Sequence, residues 1–393
     1  MKKILLISPF FHPEKISTGF FNTKIVEGLE NDKNNIVDIW CFHPFYPEWK
    51  SRISDDKKFG NEVIRMGANI PYPKKLILRR LILEVTFAFL ILYRIIKNKK
   101  KYDVVISHVP PSLFIFSNLF FRKGTKKIIL VADLQSVHFN SQGSFFKKLI
   151  FKSIKYIEQL SFNMANRIIF MSDSMLEHVG RSNINKNIEI EVCYPGTTLL
   201  KNSNEKFICP INTNDVNIVY SGALGEKQIP FELFELFHSA SLKAPGFNFF
   251  ILSKGSYFEE IKKRGSKIGT NVKFLPLVEE GMVKELYKRS TIQIVPQKKG
   301  TSNGSLPSKV ANLILTKTPI FSITDSCGDL SKILDTYPLG FHTSSHNISD
   351  MTEELFKSIE IINDYKLSDK DIDVIDNLIL NKFSFKNFLK KLI

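Results

Sequence analysis

At 393 residues the chain exceeds what one ordinary hydrophobic core supports, so two domains are expected. Its 43% hydrophobic and 24% charged content is that of a folded protein and excludes a disordered one. The net charge of +16 is uneven: residues 1–200 hold 30 basic and 17 acidic groups, residues 201–393 hold 25 and 22, and residues 51–150 alone hold 19 and 6. Such an excess points to an anionic partner for the N-terminal half. Cys41, Cys193, Cys209 and Cys327 form no C-x-x-C pair, which argues against a disulfide framework and a structural zinc site and fits a reducing compartment.

The N-terminal run Ile4–Ile7 is followed by Ser8, Pro9 and His12, too short for the apolar region of a signal peptide, and predicts a first β-strand at Ile4–Ser8. A cytoplasmic location is therefore expected. Further strands are predicted at Val37–Phe42, Asp103–Ser107, Ile128–Asp133, Arg167–Ser172 and Ile188–Tyr194. After Lys201–Asp215, an Asn-, Lys- and Pro-containing stretch without periodicity that reads as a linker, the pattern restarts. Its strands are Val216–Ser221, Phe247–Ser253, Val272–Leu275, Ile292–Pro296, Pro319–Ile323 and Gly340–Thr343. Short β-branched runs alternating with longer helical stretches imply an α/β fold of two doubly wound domains, residues 1–200 and 201–376, with ligands at the carboxyl ends of the strands. Residues 377–393 read as one amphipathic helix.

From Lys74 to Lys101 nine basic residues and one acid, Glu84, surround Leu81-Ile82-Leu83 and Val85–Tyr93, and residues 145–155 repeat the mixture with Phe145-Phe146-Lys147-Lys148-Leu149-Ile150-Phe151-Lys152. The apolar run of nine residues cannot span a bilayer that needs about 20. Val85–Tyr93 fits a buried helix or a membrane contact equally. The flanking cations favour an anionic membrane surface over nucleic acid, because no helix-turn-helix, RNP-like pattern or zinc finger accompanies them.

G-x-G-x-x-G, G-x-x-x-x-G-K-[ST], H-E-x-x-H and G-x-S-x-G are all absent, which sets aside the commonest nucleotide, metalloprotease and hydrolase fingerprints. What remains are small-residue loops after strands. Pro13–Gly19 precedes a helix expected from Phe20, where a glycine lets backbone amides approach a phosphate. Ser221-Gly222-Ala223-Leu224-Gly225-Glu226-Lys227-Gln228 sets a lysine beside a glycine loop. Lys298–Lys309 leads into a helix at Val310–Leu315 and offers amides, hydroxyls and cations suited to a diphosphate. Each loop taken alone is also compatible with a solvated turn and a helix cap.

Taken together, Tyr220-Ser221-Gly222-x-x-Gly225-Glu226-Lys227-Gln228, Val295-x-Gln297-Lys298-x-Gly300 and Leu306-Pro307-Ser308-Lys309-x-x-Asn312 resemble retaining GT-B glycosyltransferases of the GT4 type, with the colanic acid and capsule branch the best match. Pro13-Glu14 with Thr18-Gly19, His43-Pro44-x-Tyr46-Pro47-x-Trp49-Lys50, Asp103–Pro110 and Met171–Met175 extend the resemblance across nearly the whole chain. It implies two Rossmann-like domains facing across a cleft, with the final helix crossing back to the first. It also implies a nucleotide diphosphate sugar as donor, retention of configuration, and no required metal or cofactor.

By position, the resemblance makes Lys227 and Lys309 the cations that neutralise the diphosphate and Gly19, Ser305 and Leu306 its amide cradle. Gly222, Gly225, Gly255, Gly304, Pro307 and Asn312 complete the donor set. His108 matches the family's active-site histidine, and His12, Glu14 and Asp133 fall on the acceptor side. Two departures are visible. Gly304 and Asn312 stand where many GT4 enzymes carry paired glutamates, and Ala223 stands near the place of a common arginine. The implied activity is transfer of a sugar to a lipid-linked saccharide in capsule, exopolysaccharide or O-antigen assembly, at the inner face of the plasma membrane. A sugar-nucleotide epimerase and a silent membrane-docked partner are the alternatives.

Overall fold

The computed structural model describes residues 1–14, 17–46, 48–54, 62–73, 75–138, 145–197 and 211–393. It divides into two compact units, Met1–Tyr194 with Lys386–Ile393, and Pro195–Phe385. Most of the expected linker Lys201–Asp215, namely residues 201–210, lies outside the described residues.

The first unit holds β1 (Lys2–Ile7), β2 (Asn35–Phe42), β3 (Val63–Met66), β4 (Val104–Val109), β5 (Lys126–Val131), β6 (Arg167–Phe170) and β7 (Glu189–Val192), in the order β3-β2-β1-β4-β5-β6-β7 and all parallel. Central strands covered on both faces carry near-continuous apolar runs, and all six residues of β4 are buried, the polar Ser107 and His108 among them. The strand order reverses between β1 and β4, so the loops after these strands flank a switch point. The second unit repeats the design with β8 (Asn217–Ser221), β9 (Asn248–Leu252), β10 (Lys273–Leu275), β11 (Ile292–Pro296), β12 (Ile320–Ile323) and β13 (Gly340–Thr343), ordered β10-β9-β8-β11-β12-β13. Its switch point falls between β8 and β11.

Three features differ from the sequence expectations. A strand, β3, occurs at Val63–Met66 where none is predicted; it is a four-residue edge strand, nowhere fully buried. The first helix starts at Ser17, not Phe20, which places Gly19 in its first turn. Residues 377–393 are not one helix: Asp369–Lys382 belongs to the second unit, and only Phe385–Leu392 carries the chain into the first. There Phe388 meets Phe21 edge-on at 5.2 Å and Lys391 pairs with Glu191 at 2.9 Å.

The helix Leu76–Lys97, which holds Val85–Tyr93, is apolar on two faces, one of them buried in the core. Leu83, Phe87 and Ile91 are buried, with Phe87 against Phe42 at 4.8 Å and Phe114 at 4.9 Å. Burying one such side chain contributes roughly 1.5–3 kcal/mol. Leu78, Leu81, Val85, Phe89, Tyr93 and Ile96 recur every three or four residues along another face and are exposed, Phe89 by 66% and Ile96 by 72%. Among the described residues no helix is long and apolar enough to cross a membrane.

Candidate functional site

In the second unit the two sequence-predicted loops come to the same edge of the sheet. Residues 222–228 follow β8 and residues 297–309 follow its neighbour β11, so both sit at the carboxyl side of the switch point. They are stitched together: Lys298 N donates to Lys227 O at 2.9 Å, and Lys298 Nζ pairs with Glu226 Oε1 at 2.5 Å. Gln297 bridges onward, donating to Ser305 O at 3.2 Å and accepting from Thr324 Oγ1 at 2.7 Å.

Lys309 opens the helix Lys309–Thr316 and directs its ammonium back into this edge. Nζ is buried without a hydrogen-bond partner, lies 4.1 Å from the centroid of the buried Tyr220 ring, and would stand 3.5 Å from a Cβ placed on Gly222. Burial alone pulls its pKa from 10.5 down to about 7. A buried, unpaired cation is costly and calls for an anion. Gly222, at φ +149°, is where the backbone passes the ammonium in a conformation few other residues adopt. The Lys227 loop then ends on Ile229, a β-branched residue held at φ +39°, a conformation costing on the order of 1–3 kcal/mol.

The amides of the 298–309 segment are not all available. Gly300 N donates to both carboxylate oxygens of Asp325 at 2.9 Å, while Ser302 Oγ donates to Asp325 Oδ2 at 2.5 Å. Asp325 therefore holds the first half of the loop in shape. The Ser305 and Leu306 amides, by contrast, donate to no other described residue. Gly304 is buried in the short turn Ser302–Gly304 that presents them, with Pro307 next in line. Asn312 is one helical turn beyond Lys309, on the same face. Gly225 N is capped by Gln228 Oε1 at 3.0 Å. Gly255, at φ +100°, precedes the helix Ser256–Ile268 after β9, with open space where a Cβ would be.

The remaining predicted residues belong to the first unit. His108 lies within β4, not after it, paired with Leu130 of β5. Its ring is wholly buried, and Nδ1 contacts Asn22 Oδ1. Asn22 Nδ2 donates to Ser8 Oγ at 2.9 Å and to Phe10 O at 2.8 Å, so its Oδ1 must accept and Nδ1 carries the proton. Nε2 is thereby left as an unpartnered acceptor, and burial pulls the pKa down to about 3. The ring is therefore held neutral at physiological pH, and its Nε2 can accept a hydrogen bond from a hydroxyl. Gly19 packs closely on Glu14, whose carbonyl oxygen would stand 2.8 Å from an added Cβ. Asp133 lies just beyond β5, near the buried Glu158, and His12 accepts from Arg65 through its carbonyl. Asn22 and Asp325 escape sequence reasoning, and Tyr220 and Gln297 enter it only as members of motifs without a role of their own, since their contacts to His108, Gly300, Lys309 and Thr324 join segments distant in the chain.

No protein-family model matches the chain. WcaI of Escherichia coli (strain K12), which carries the name of a colanic acid biosynthesis glycosyl transferase, is 22% identical over 364 residues, 86% of each chain. Among solved structures, the sucrose-phosphate synthase of Thermosynechococcus elongatus is similar at a TM-score of 0.70 and 13% identity, covering 100% of this chain and 97% of its own. A protein named as a UDP-N-acetylglucosamine 2-epimerase, from Listeria monocytogenes, is similar at 0.59 and 12% identity, covering 100% and 95%. The fold is thus the GT-B fold of two Rossmann-like units, one that also serves sugar-nucleotide epimerisation.

Proposed function

We propose that this protein is a retaining, metal-independent glycosyltransferase of the GT4 type. It moves a sugar from a nucleotide diphosphate sugar to a lipid-linked saccharide during bacterial surface polysaccharide assembly. The observation that carries this is the buried, unpaired Lys309 ammonium beside Gly222 at the β8–β11 switch point, in a unit whose 297–309 loop also leaves the Ser305 and Leu306 amides free. A diphosphate supplies the missing anion, and the same cation and amides stabilise the charge that grows on the departing nucleotide. Lys227 adds a second cation, and Asn312 offers an amide to the ribose. The name of WcaI supports the choice of transfer over epimerisation.

His108 accepts a hydrogen bond from a sugar hydroxyl through Nε2 in this scheme. The exposed row from Leu78 to Ile96, flanked by the exposed Lys75, Lys97, Lys99 and Lys101, rests on an anionic membrane where the lipid-linked acceptor is anchored. Lys152, Lys155 and Tyr156 on the helix Phe145–Phe162 add to that surface, as do Leu119, Phe120, Arg122 and Lys123. Lys100 does not contribute, being paired with Asp38 at 3.0 Å and with Glu62.

Incubation with labelled nucleotide sugars and undecaprenyl-linked acceptors tests the reading. Acceptor-dependent transfer that Lys309→Met abolishes is expected; conversion of the donor without an acceptor would mark an epimerase instead.

A further inference from the structure

A buried carboxylate and a nest of aromatic rings in the first unit lie outside the donor-binding set named above. Glu14 is 6% exposed, and its Oε1 accepts from Phe45 N at 2.6 Å and Tyr46 N at 2.7 Å, while Oε2 is buried with no partner. The nearby Tyr72 hydroxyl is likewise buried and unpartnered. Around them stand Phe10, Phe45, Tyr46, Trp49 and Tyr72, linked by centroid distances of 5.1–6.4 Å. Phe45 is buried; the other four rings are partly exposed.

A purely structural cluster does not account for these features. Each unpartnered buried polar group costs on the order of 1–3 kcal/mol, and apolar substitutes would fill the same space. Burial lifts the Glu14 pKa to about 7, so the folded protein carries this carboxylate at a penalty. Trp49 is held at φ +56°, a further cost for so large a side chain. The ligand that offsets them has hydroxyl donors for Oε2, an acceptor or donor for the Tyr72 hydroxyl, and a C–H face for the rings. The charges that act on Glu14 and Tyr46 are balanced, Arg65 and Arg80 against Glu14 and Glu48, so the cluster selects neither an anion nor a cation. A neutral sugar fits both conditions.

We propose that Glu14, Tyr72 and the rings of Tyr46 and Trp49 form a subsite for one neutral pyranose of the acceptor saccharide. The assignment deepens the glycosyltransferase reading and rests on it, and it gives the His43–Lys50 motif a use. Trp49 supplies its own reporter, since the other tryptophan, Trp40, is wholly buried in β2.

The test is titration of the full-length protein with methyl glycopyranosides of glucose, galactose, mannose and N-acetylglucosamine. Tryptophan emission is followed, with UDP, GDP and dTDP binding measured in parallel. At least one glycoside is expected to shift the emission saturably, and the shift is lost in Trp49→Phe. Glu14→Gln and Tyr72→Phe should each weaken that glycoside about tenfold or more without changing nucleotide affinity. Tyr72→Phe should not lower Tm, because it removes a group with no partner, so a binding loss there cannot be ascribed to unfolding. No response to any glycoside, or full affinity in both variants, overturns the subsite; retained nucleotide binding would then leave the glycosyltransferase reading intact. Glycoside binding in a protein that binds none of the three nucleotides would sink that reading and keep the subsite.

Discussion

Replacing Lys309 with methionine tests the anion site from both its free and bound states. The substitution keeps the apolar stem over Tyr220 and deletes the charge. In the free protein the lysine titrates near 7, against 10.5 in an unfolded chain. At about 1.4 kcal/mol per pH unit, this corresponds to roughly 5 kcal/mol at neutral pH, an upper bound because water reaching the site relieves part of it. The sign follows from proton counts. Between pH 7 and 10.5 the unfolded chain binds the proton and the folded one does not, so this group makes stability rise with pH across that window and contributes its full penalty below it. Lys309→Met should therefore raise Tm at pH 7 and flatten the rise of stability on the alkaline side. A bound diphosphate reverses the shift, so nucleotide binding at about pH 8.5 should take up close to one proton. Calorimetry in two buffers of different ionisation enthalpy reads that uptake directly. A buffer-independent enthalpy, or a methionine variant that binds nucleotide as the native protein does, would refute the reasoning.

Three further outcomes follow from the same geometry. Gly222→Ala forces an L-residue into φ +149° against the Lys309 ammonium, and should cost about 1 kcal/mol or more in stability and weaken nucleotide binding, both measurable by thermal shift. Phe89→Glu with Ile96→Glu, on the exposed row, should abolish sedimentation with phosphatidylserine vesicles while leaving Tm within a few degrees; unchanged sedimentation would remove the membrane from the account. Glu158 is buried, and its carboxyl is pushed up to about 7 by burial; its oxygens accept from Gln135 N at 2.9 Å and from Ser136 Oγ. A raised carboxylate pKa means stability from this group is lost as pH rises from 4.5 toward 7, so Glu158→Gln should stabilise the protein at pH 8 and be neutral at pH 4, as read by urea midpoints.

Twelve of the thirteen strands among the described residues were legible because a parallel strand buried on both faces is a short, near-continuous β-branched run, as in Val104-Val105-Ile106 and Ile128-Ile129-Leu130. β3 was not: Val63-Ile64-Arg65-Met66 lies at a sheet edge, carries an arginine, and has no buried residue to impose the pattern. The break between Lys382 and Phe385 was hidden for a related reason, as apolar residues on both sides keep helical spacing while packing into different units.

At the site, local chemistry marked the loops and tertiary contact decided their use. Lys309 and Gly222 are 87 positions apart, and only the adjacency of β8 and β11 puts the ammonium against that glycine. Asp325 consumes amides that look free in the sequence, leaving those of Ser305 and Leu306. His108 was marked by position, but its neutrality comes from burial within the sheet and its tautomer from Asn22, 86 residues earlier, neither of which is visible locally.

The central claim is that the second unit grips a pyrophosphate through Lys309, Gly222 and the Ser305–Leu306 amides. Equilibrium binding of UDP, GDP and dTDP, each beside its monophosphate, tests it most directly. The account predicts that at least one diphosphate binds and that its monophosphate binds about a hundredfold more weakly, the equivalent of one to two charge-assisted hydrogen bonds. Equal affinity for the two, or no binding of any diphosphate, would contradict it.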